Sequence, residues 1–200
     1  MDWIKATIKS HIVKILILFV TITIFIYPSF YGKASTSTEV YFSSQVDCSQ
    51  KLRESIEEAD HSIVFALYMF TDESLCNALL EAVERGVKVE GVLDGVILKK
   101  RKNIFDKLSA GGVDIKIVKK DRGILHHKFI VIDEKKVITG SYNWTFYAKT
   151  FNYENIVIIK NRKIANEYIK EYKRSLWDIY ATMTIKNYST DDIKYFTNIA

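Results

Sequence analysis

Hydrophobic positions along the chain follow two periods in turn, and their succession predicts the elements. Thr38 to Ser44 alternates branched and aromatic residues with polar ones, as a half-buried strand does, while Gln50 to Ala59 places Leu52, Ile56 and Ala59 at helical spacing. Ser62 to Phe70 is nearly continuous apolar sequence, the signature of a central strand covered on both faces. Thr71 stands where a helix cap is needed, with Asp72 and Glu73 in the first turn, and the helix buries Leu75, Leu79, Ala82 and Val83 before stopping at Gly86. Val87 to Leu93 predicts another strand, Ile97 to Leu108 a helix ended by Gly111-Gly112, and Val113 to Val118 a further strand. Two runs, Leu125 to Ile132 and Lys136 to Thr139, flank the turn Asp133-Glu134-Lys135, and Asn155 to Ile159 follows as a strand. A helix from about Arg162 to Tyr180 carries the stripe Ile164, Tyr168, Ile169, Tyr172 and Leu176; residues 181 to 200 predict no element. Strands alternating with helices indicate the α/β class, with a mostly parallel sheet covered by helices.

The N-terminus breaks this pattern. Lys5, Lys9 and Lys14 precede the apolar run Ile15 to Tyr27, which has no polar face beyond two threonines. Thirteen residues fall short of the ~20 needed for a helix to span a bilayer, and a basic start before a short apolar core resembles a signal peptide. Gly32-Lys33-Ala34 supplies small residues for cleavage after Ala34. The competing reading is a retained anchor, with the apolar segment extended over 12–27 and held at a membrane. Either way the chain is expected to be exported, as a periplasmic, secreted or envelope-anchored protein, with residues 1–34 as the targeting segment and 35–200 as one catalytic domain.

Composition adds limits. The 200 residues are 48% hydrophobic and 26% charged, with one proline and eight glycines, so neither a disordered chain nor a repeat array is indicated. The formal charge of +5 includes four lysines and one aspartate from residues 1 to 34; without them 25 basic and 23 acidic residues remain, a net of +2. Distribution is more telling than the sum. Between Lys99 and Arg122 nine basic residues face three acidic ones, which reads either as a cationic track or as a solvated face. Cys48 and Cys76, both in expected helices, are either paired in an exported protein or buried as free thiols. Neither has a CxxC-like neighbourhood, so no zinc site is expected.

The candidate chemistry lies in HHKFIVIDEKKVITGSYNWT, residues 126 to 145. It fits H-x-K-x4-D-x6-G-S-x-N at every fixed position through His126, Lys128, Asp133, Gly140, Ser141 and Asn143. Residues two apart on a strand share a face, so His126 and Lys128 point to a common site while His127 points away, as a polar residue able at most to touch substrate. Ser141 and Asn143 repeat that spacing past the next strand, and Gly140 permits close backbone approach. An imidazole, an ammonium and hydrogen-bond donors together form an inventory for phosphoryl transfer. Asp133, seven residues from His126, falls on the opposite face, which suits a structural charge partner better than direct chemistry. Trp144 has two readings, a stacking platform for a base or a core side chain.

This motif resembles the HKD motif of the phospholipase D superfamily. The wider resemblance, over most of residues 38 to 180, includes Ile63 to Met69, Arg85-Gly86-Val87-Lys88-Val89 and Asn152-Tyr153-Glu154-Asn155, and is similar to the small single-motif nucleases of that superfamily. It implies a mixed, mostly parallel sheet with helices on both faces. It also implies that His126 attacks phosphorus to form a phosphohistidine, that Glu154 accepts a hydrogen bond from the His126 ring, and that no metal or cofactor is required. A second histidine would protonate the leaving oxygen. One motif per chain, with His11, His61 and His127 outside the pattern, then implies a homodimer with the active site across its two-fold interface.

The motif leaves the substrate open. The basic segment and the small size favour a sequence-nonspecific endonuclease acting on DNA or RNA, since backbone contacts position nucleic acid without reading bases and no base-reading module is present in the sequence. The alternative is a phospholipid phosphodiesterase at a membrane. A third reading, a non-hydrolytic DNA-binding or uptake component, does not explain why a nucleophile is present.

Overall fold

The computed structural model describes residues 11–21, 36–100, 102–120 and 122–186. The chain divides into two units, Met1–Ser35 and Thr36–Ala200. In the first, residues 11–21 form a helix whose apolar side chains, from Ile12 to Val20, are exposed. The expected cleavage position after Ala34 lies outside the described residues. Among these residues no helix is long and apolar enough to cross a membrane.

The second unit is built on a seven-stranded sheet. In chain order its elements are β1 (Ser37–Phe42), α1 (Cys48–Glu57), β2 (Ser62–Leu67), α2 (Glu73–Glu84), β3 (Lys88–Asp94), α3 (Ile97–Lys100), α4 (Lys102–Ala110), β4 (Asp114–Val118), β5 (Lys128–Ile132), β6 (Lys136–Gly140), α5 (Phe146–Thr150), β7 (Asn155–Lys160) and α6 (Arg162–Lys186). The strand order is β1-β7-β6-β5-β2-β3-β4. Helical crossovers place β2, β3 and β4 side by side in parallel, whereas β2–β5, β5–β6, β6–β7 and β7–β1 are antiparallel. The mixed α/β architecture agrees with expectation, but the balance within the sheet does not. Five strands run one way and two the other, yet only two neighbouring pairs are parallel, because β5 and β7 are interleaved among strands of the opposite direction.

The alternation along β2 explains how both faces are covered. Ile63, Phe65 and Leu67 join the core with α1, α2 and α4, while Val64 and Ala66 face Ala165, Tyr172 and the rest of the α6 stripe. Phe65, Phe70 and Trp144 form an aromatic centre with ring centroids 5.1 to 6.5 Å apart. Each such ring contributes about 1.5–3 kcal/mol by leaving water. Gly91 makes room for them: a Cβ there would lie 2.1 Å from the Phe65 ring. Trp144 is 2% exposed, which settles its role as core. Cys48 and Cys76 are buried free thiols; burial raises both, Cys76 to about 11, so neither is an activated nucleophile.

Two boundaries differ from the periodicity. The α2 cap is Asp72, whose carboxylate accepts from Ser74 N at 2.9 Å and Leu75 N at 3.4 Å. Thr71 is displaced outward because its N–H, like that of Asp72, donates to Trp144 O. The strand expected from Leu125 begins only at Lys128, since Leu125 N donates to the Asp94 side chain and not to a neighbouring strand.

Candidate active site

Strand direction brings the C-terminal ends of β1, β2, β3, β4 and β6 and the N-terminal ends of β5 and β7 to one end of the sheet. Five of the six residues expected at the site lie there. His126 and Lys128 enter β5, Ser141 and Asn143 leave β6, and Glu154 precedes β7. The segment after β6 crosses in front of β5 to reach β2, with Trp144 bridging Phe70 and Trp144 N donating to Met69 O at 3.2 Å. Gly140 starts this crossing at φ 153, where a Cβ would sit 2.2 Å from Asn155 O, so no side chain fits.

The imidazole of His126 lies against the ring of Tyr68, with centroids 4.8 Å apart and planes at 60°. Lys128 Nζ is 5.5 Å from the centre of the same ring and donates to His126 O at 3.0 Å. Among the described residues no carboxylate forms an ion pair with this half-buried ammonium. Burial lowers the Lys128 pKa, with the more distant Glu154 charge opposing the shift. A desolvated cation without a counter-ion is a site prepared for an anion. Among the described residues the Asn143 side chain has no hydrogen-bond partner, and its Oδ1 is buried, so the carboxamide is also uncommitted.

Glu154 is held differently from what the resemblance implies. Its carboxylate accepts from Ser141 Oγ and from Asn152 Nδ2, the latter at 2.9 Å, and the His126 ring makes no hydrogen bond to it. Ser43, just past β1, clamps this corner: Ser43 N donates to Glu154 O at 2.9 Å and Glu154 N donates to Ser43 Oγ at 2.8 Å. Asn155 N donates to Ser141 Oγ at 3.1 Å. Ser141 and Glu154 thus form a rigid hydrogen-bonded corner beside the histidine and lysine.

Asp133 is not brought to the site. It follows β5 at the opposite end, some 17 Å from Lys128 at the rise of a strand. It accepts from the backbone N–H of Asp60, His61 and Ser62 at 2.8 to 3.2 Å, and Lys135 Nζ approaches to 3.2 Å. Burial opposes its ionisation, but these donors outweigh burial and draw the pKa down to about 2. Asp133 and Glu134 adopt φ 50 and 52, the left-handed pair of a tight hairpin turn.

His127 turns to the other face, where its ring meets Phe129 and Nε2 lies 3.2 Å from Glu171 Oε1 on α6. Sequence reasoning missed three residues that position the site: Tyr68, Ser43 and Asp94. Asp94 Oδ2 accepts from Leu125 N at 2.8 Å and Oδ1 from Val96 N at 2.9 Å, fixing the loop immediately before His126. Only the strand order could have exposed them. The basic segment contributes Lys99 on α3 and Lys119 and Arg122 in the loop after β4, all exposed and following strand ends on the site's side of the sheet. Lys107 and Lys116 instead pair locally, with Glu73 and Asp114. Among the described residues no cluster of three His, Cys, Asp or Glu is arranged to hold a metal ion.

Comparisons with known proteins agree with the fold. Residues 52–177 match the family model described as cardiolipin synthase, PLD-like domain. A phospholipase D of Rickettsia prowazekii is 37% identical over 131 residues, covering 66% of this chain and 63% of that protein. A mitochondrial cardiolipin hydrolase of Xenopus tropicalis is 35% identical over 122 residues, 61% of this chain and 57% of the relative. The matched stretch therefore spans less than two thirds of these relatives. Among solved structures, Nuc from Salmonella typhimurium, a phospholipase D family member, superposes with a TM-score of 0.68 at 28% identity, covering 72% of this chain and 96% of that one.

Proposed function

Because the chain belongs to the phospholipase D-like family, we propose that it is a metal-independent phosphodiesterase that cleaves nucleic acid, without sequence specificity, through a phosphohistidine formed at His126. The observation that carries the reading is the half-buried Lys128 ammonium, which has no ion-pair partner among the described residues, beside the exposed imidazole of His126. A phosphodiester seated there gives the lysine its missing anion and the imidazole its electrophile.

In this scheme a ring nitrogen of His126 attacks phosphorus as the bond to the leaving oxygen breaks. Lys128 and the Asn143 carboxamide hold the non-bridging oxygens as their charge grows. The leaving oxygen takes its proton from the partner subunit's His126. The same partner imidazole then accepts a proton from water, which attacks the phosphohistidine; the P–N bond breaks, releasing a phosphomonoester and free His126. A homodimer is therefore part of the proposal, as is a site outside the cytoplasm reached through residues 1–34. Glu154 and Ser141 act by holding the loop that presents Asn143, and Asp133 acts as scaffold.

A second reading is a phospholipid phosphodiesterase. Two relatives are named phospholipase D and cardiolipin hydrolase, and the exposed apolar helix at 11–21 suits a membrane surface. Turnover by the full chain in excess chelator on single-stranded DNA, duplex DNA, RNA and mixed phospholipid vesicles separates them. Nucleic acid cleavage with no lipid product supports the proposal; lipid hydrolysis alone replaces it with the second reading.

A further inference from the structure

The loop that joins Asn143 to Glu154 carries four exposed aromatic rings. Phe146 is 62% exposed, Tyr147 69%, Phe151 65% and Tyr153 90%. Phe151 packs on both Phe146 and Tyr147, with centroids 5.9 and 5.3 Å away and ring planes inclined at 76° and 54°. The short helix α5 anchors the group from beneath: Ala148 is wholly buried, Thr145 Oγ1 caps the helix by accepting from Ala148 N, and Lys149 is tied to Asp47 at 3.4 Å. Four large rings on one loop cost free energy in water and have no packing role in the chain that requires their exposure.

Their place in the fold suggests their use. Both ends of the loop are site residues, so whatever flanks a phosphodiester bound at His126 passes over it. We propose that these rings form a stacking shelf for unpaired nucleobases, which makes a single strand the preferred substrate of the site. This rests on the nucleic acid reading above and deepens it. Every base offers a π-face, whereas bases paired in a duplex do not. Tyr153, flanked by Asn152 and Glu154, has its ring open to solvent for the base next to the scissile phosphate. Charge complementarity supports the same occupant: Lys99, Lys119 and Arg122 emerge at this end of the sheet and suit the phosphates of the continuing strand. Polar Thr145, Lys149 and Asn152 interrupt the patch, which suits alternating bases and phosphates better than a uniform acyl layer.

The test uses the full chain with His126→Ala, so that binding is read without turnover. Three labelled probes are compared by fluorescence anisotropy: an oligothymidylate, an abasic strand of the same phosphate count, and a duplex of the same length. The oligothymidylate is expected to bind roughly tenfold or more tighter than either of the others, and Tyr147→Ala with Tyr153→Ala to remove that advantage. Tyr153→Trp is expected to retain it, and unchanged thermal melting of the variants confirms that folding is intact. Equal binding of the abasic and base-bearing strands overturns the shelf, as does an advantage that survives the double substitution. Capture of phosphatidylcholine–cardiolipin vesicles that is lost with the double substitution also overturns it, in favour of a membrane-facing patch. If the unsubstituted chain still cleaves DNA or RNA in those cases, the nuclease reading stands and only the shelf fails.

Discussion

The two ends of the β5–β6 hairpin carry residues of one motif and treat them in opposite ways. At the turn, Asp133 is 2% exposed in its side chain, takes three backbone N–H donors and an ammonium, and lies near Lys136, itself paired with Glu58 at 2.6 Å. At the open end, among the described residues, no carboxylate pairs with Lys128, the His126 ring lies against Tyr68, and the buried Asn143 Oδ1 has no partner. A buried polar group whose capacity is filled by its own chain stabilises the fold; one left unfilled at the surface is available to a ligand. Presence in a motif therefore does not assign a residue to chemistry, whereas the state of its hydrogen-bonding capacity does.

The largest expected effect tests the open end. His126→Ala should reduce phosphodiester cleavage by roughly 10³-fold or more, measured on whichever substrate the chain turns over, while thermal melting stays unchanged. The same comparison at the closed end predicts the inverse. Asp133→Ala deprives three part-buried backbone N–H groups of their acceptor and should cost about 1–3 kcal/mol in stability by denaturant titration, with activity per folded molecule nearly retained. Loss of activity with unchanged stability would place Asp133 with the catalytic group and break the contrast.

The pH dependence sharpens it further. The Asp133 pKa is depressed in the folded state, so its stabilisation is present above the unfolded value of ~3.9 and is lost as pH falls through about 2. Acid unfolding curves of Asp133→Asn should lack that component. Lys128 is depressed for a different cause, burial, and in the proposed role it must be protonated. The alkaline limb of kcat/KM should accordingly fall below the ordinary lysine value of ~10.4, and Lys128→Arg should move that limb upward. The smallest effect belongs to Tyr68: replacing it by Leu should lower kcat by roughly 2- to 12-fold, the worth of one aromatic contact, with little change in stability.

How much of this was legible in the chain depends on how local the information is. The spacing of His126, Lys128, Ser141 and Asn143, and the strand alternation that turns His127 away, are local, and the structure follows them. The same alternation removes Asp133 from the site face. The α6 stripe from Ile164 to Leu176 is equally local and packs as its periodicity predicts. Other features come from residues far apart in sequence. Tyr68 meets His126 because β2 pairs with β5, Asp94 reaches Leu125 because β3 lies next to β2, and Ser43 clamps Glu154 because β1 pairs with β7. The number of antiparallel pairs was hidden for the same reason, since helix–strand alternation predicts crossovers but not where a later hairpin inserts. Helix α5 is too short to show a period.

The central claim is that His126 is the nucleophile, and a covalent label tests it most directly. The full chain, in excess chelator, is mixed with a substrate radiolabelled at the scissile phosphate, quenched during turnover under alkaline denaturing conditions, and mapped by peptide. The account predicts an acid-labile phosphoryl group on the peptide bearing His126, absent in His126→Ala. Full turnover with no protein-bound label, or a label on another residue, would contradict it.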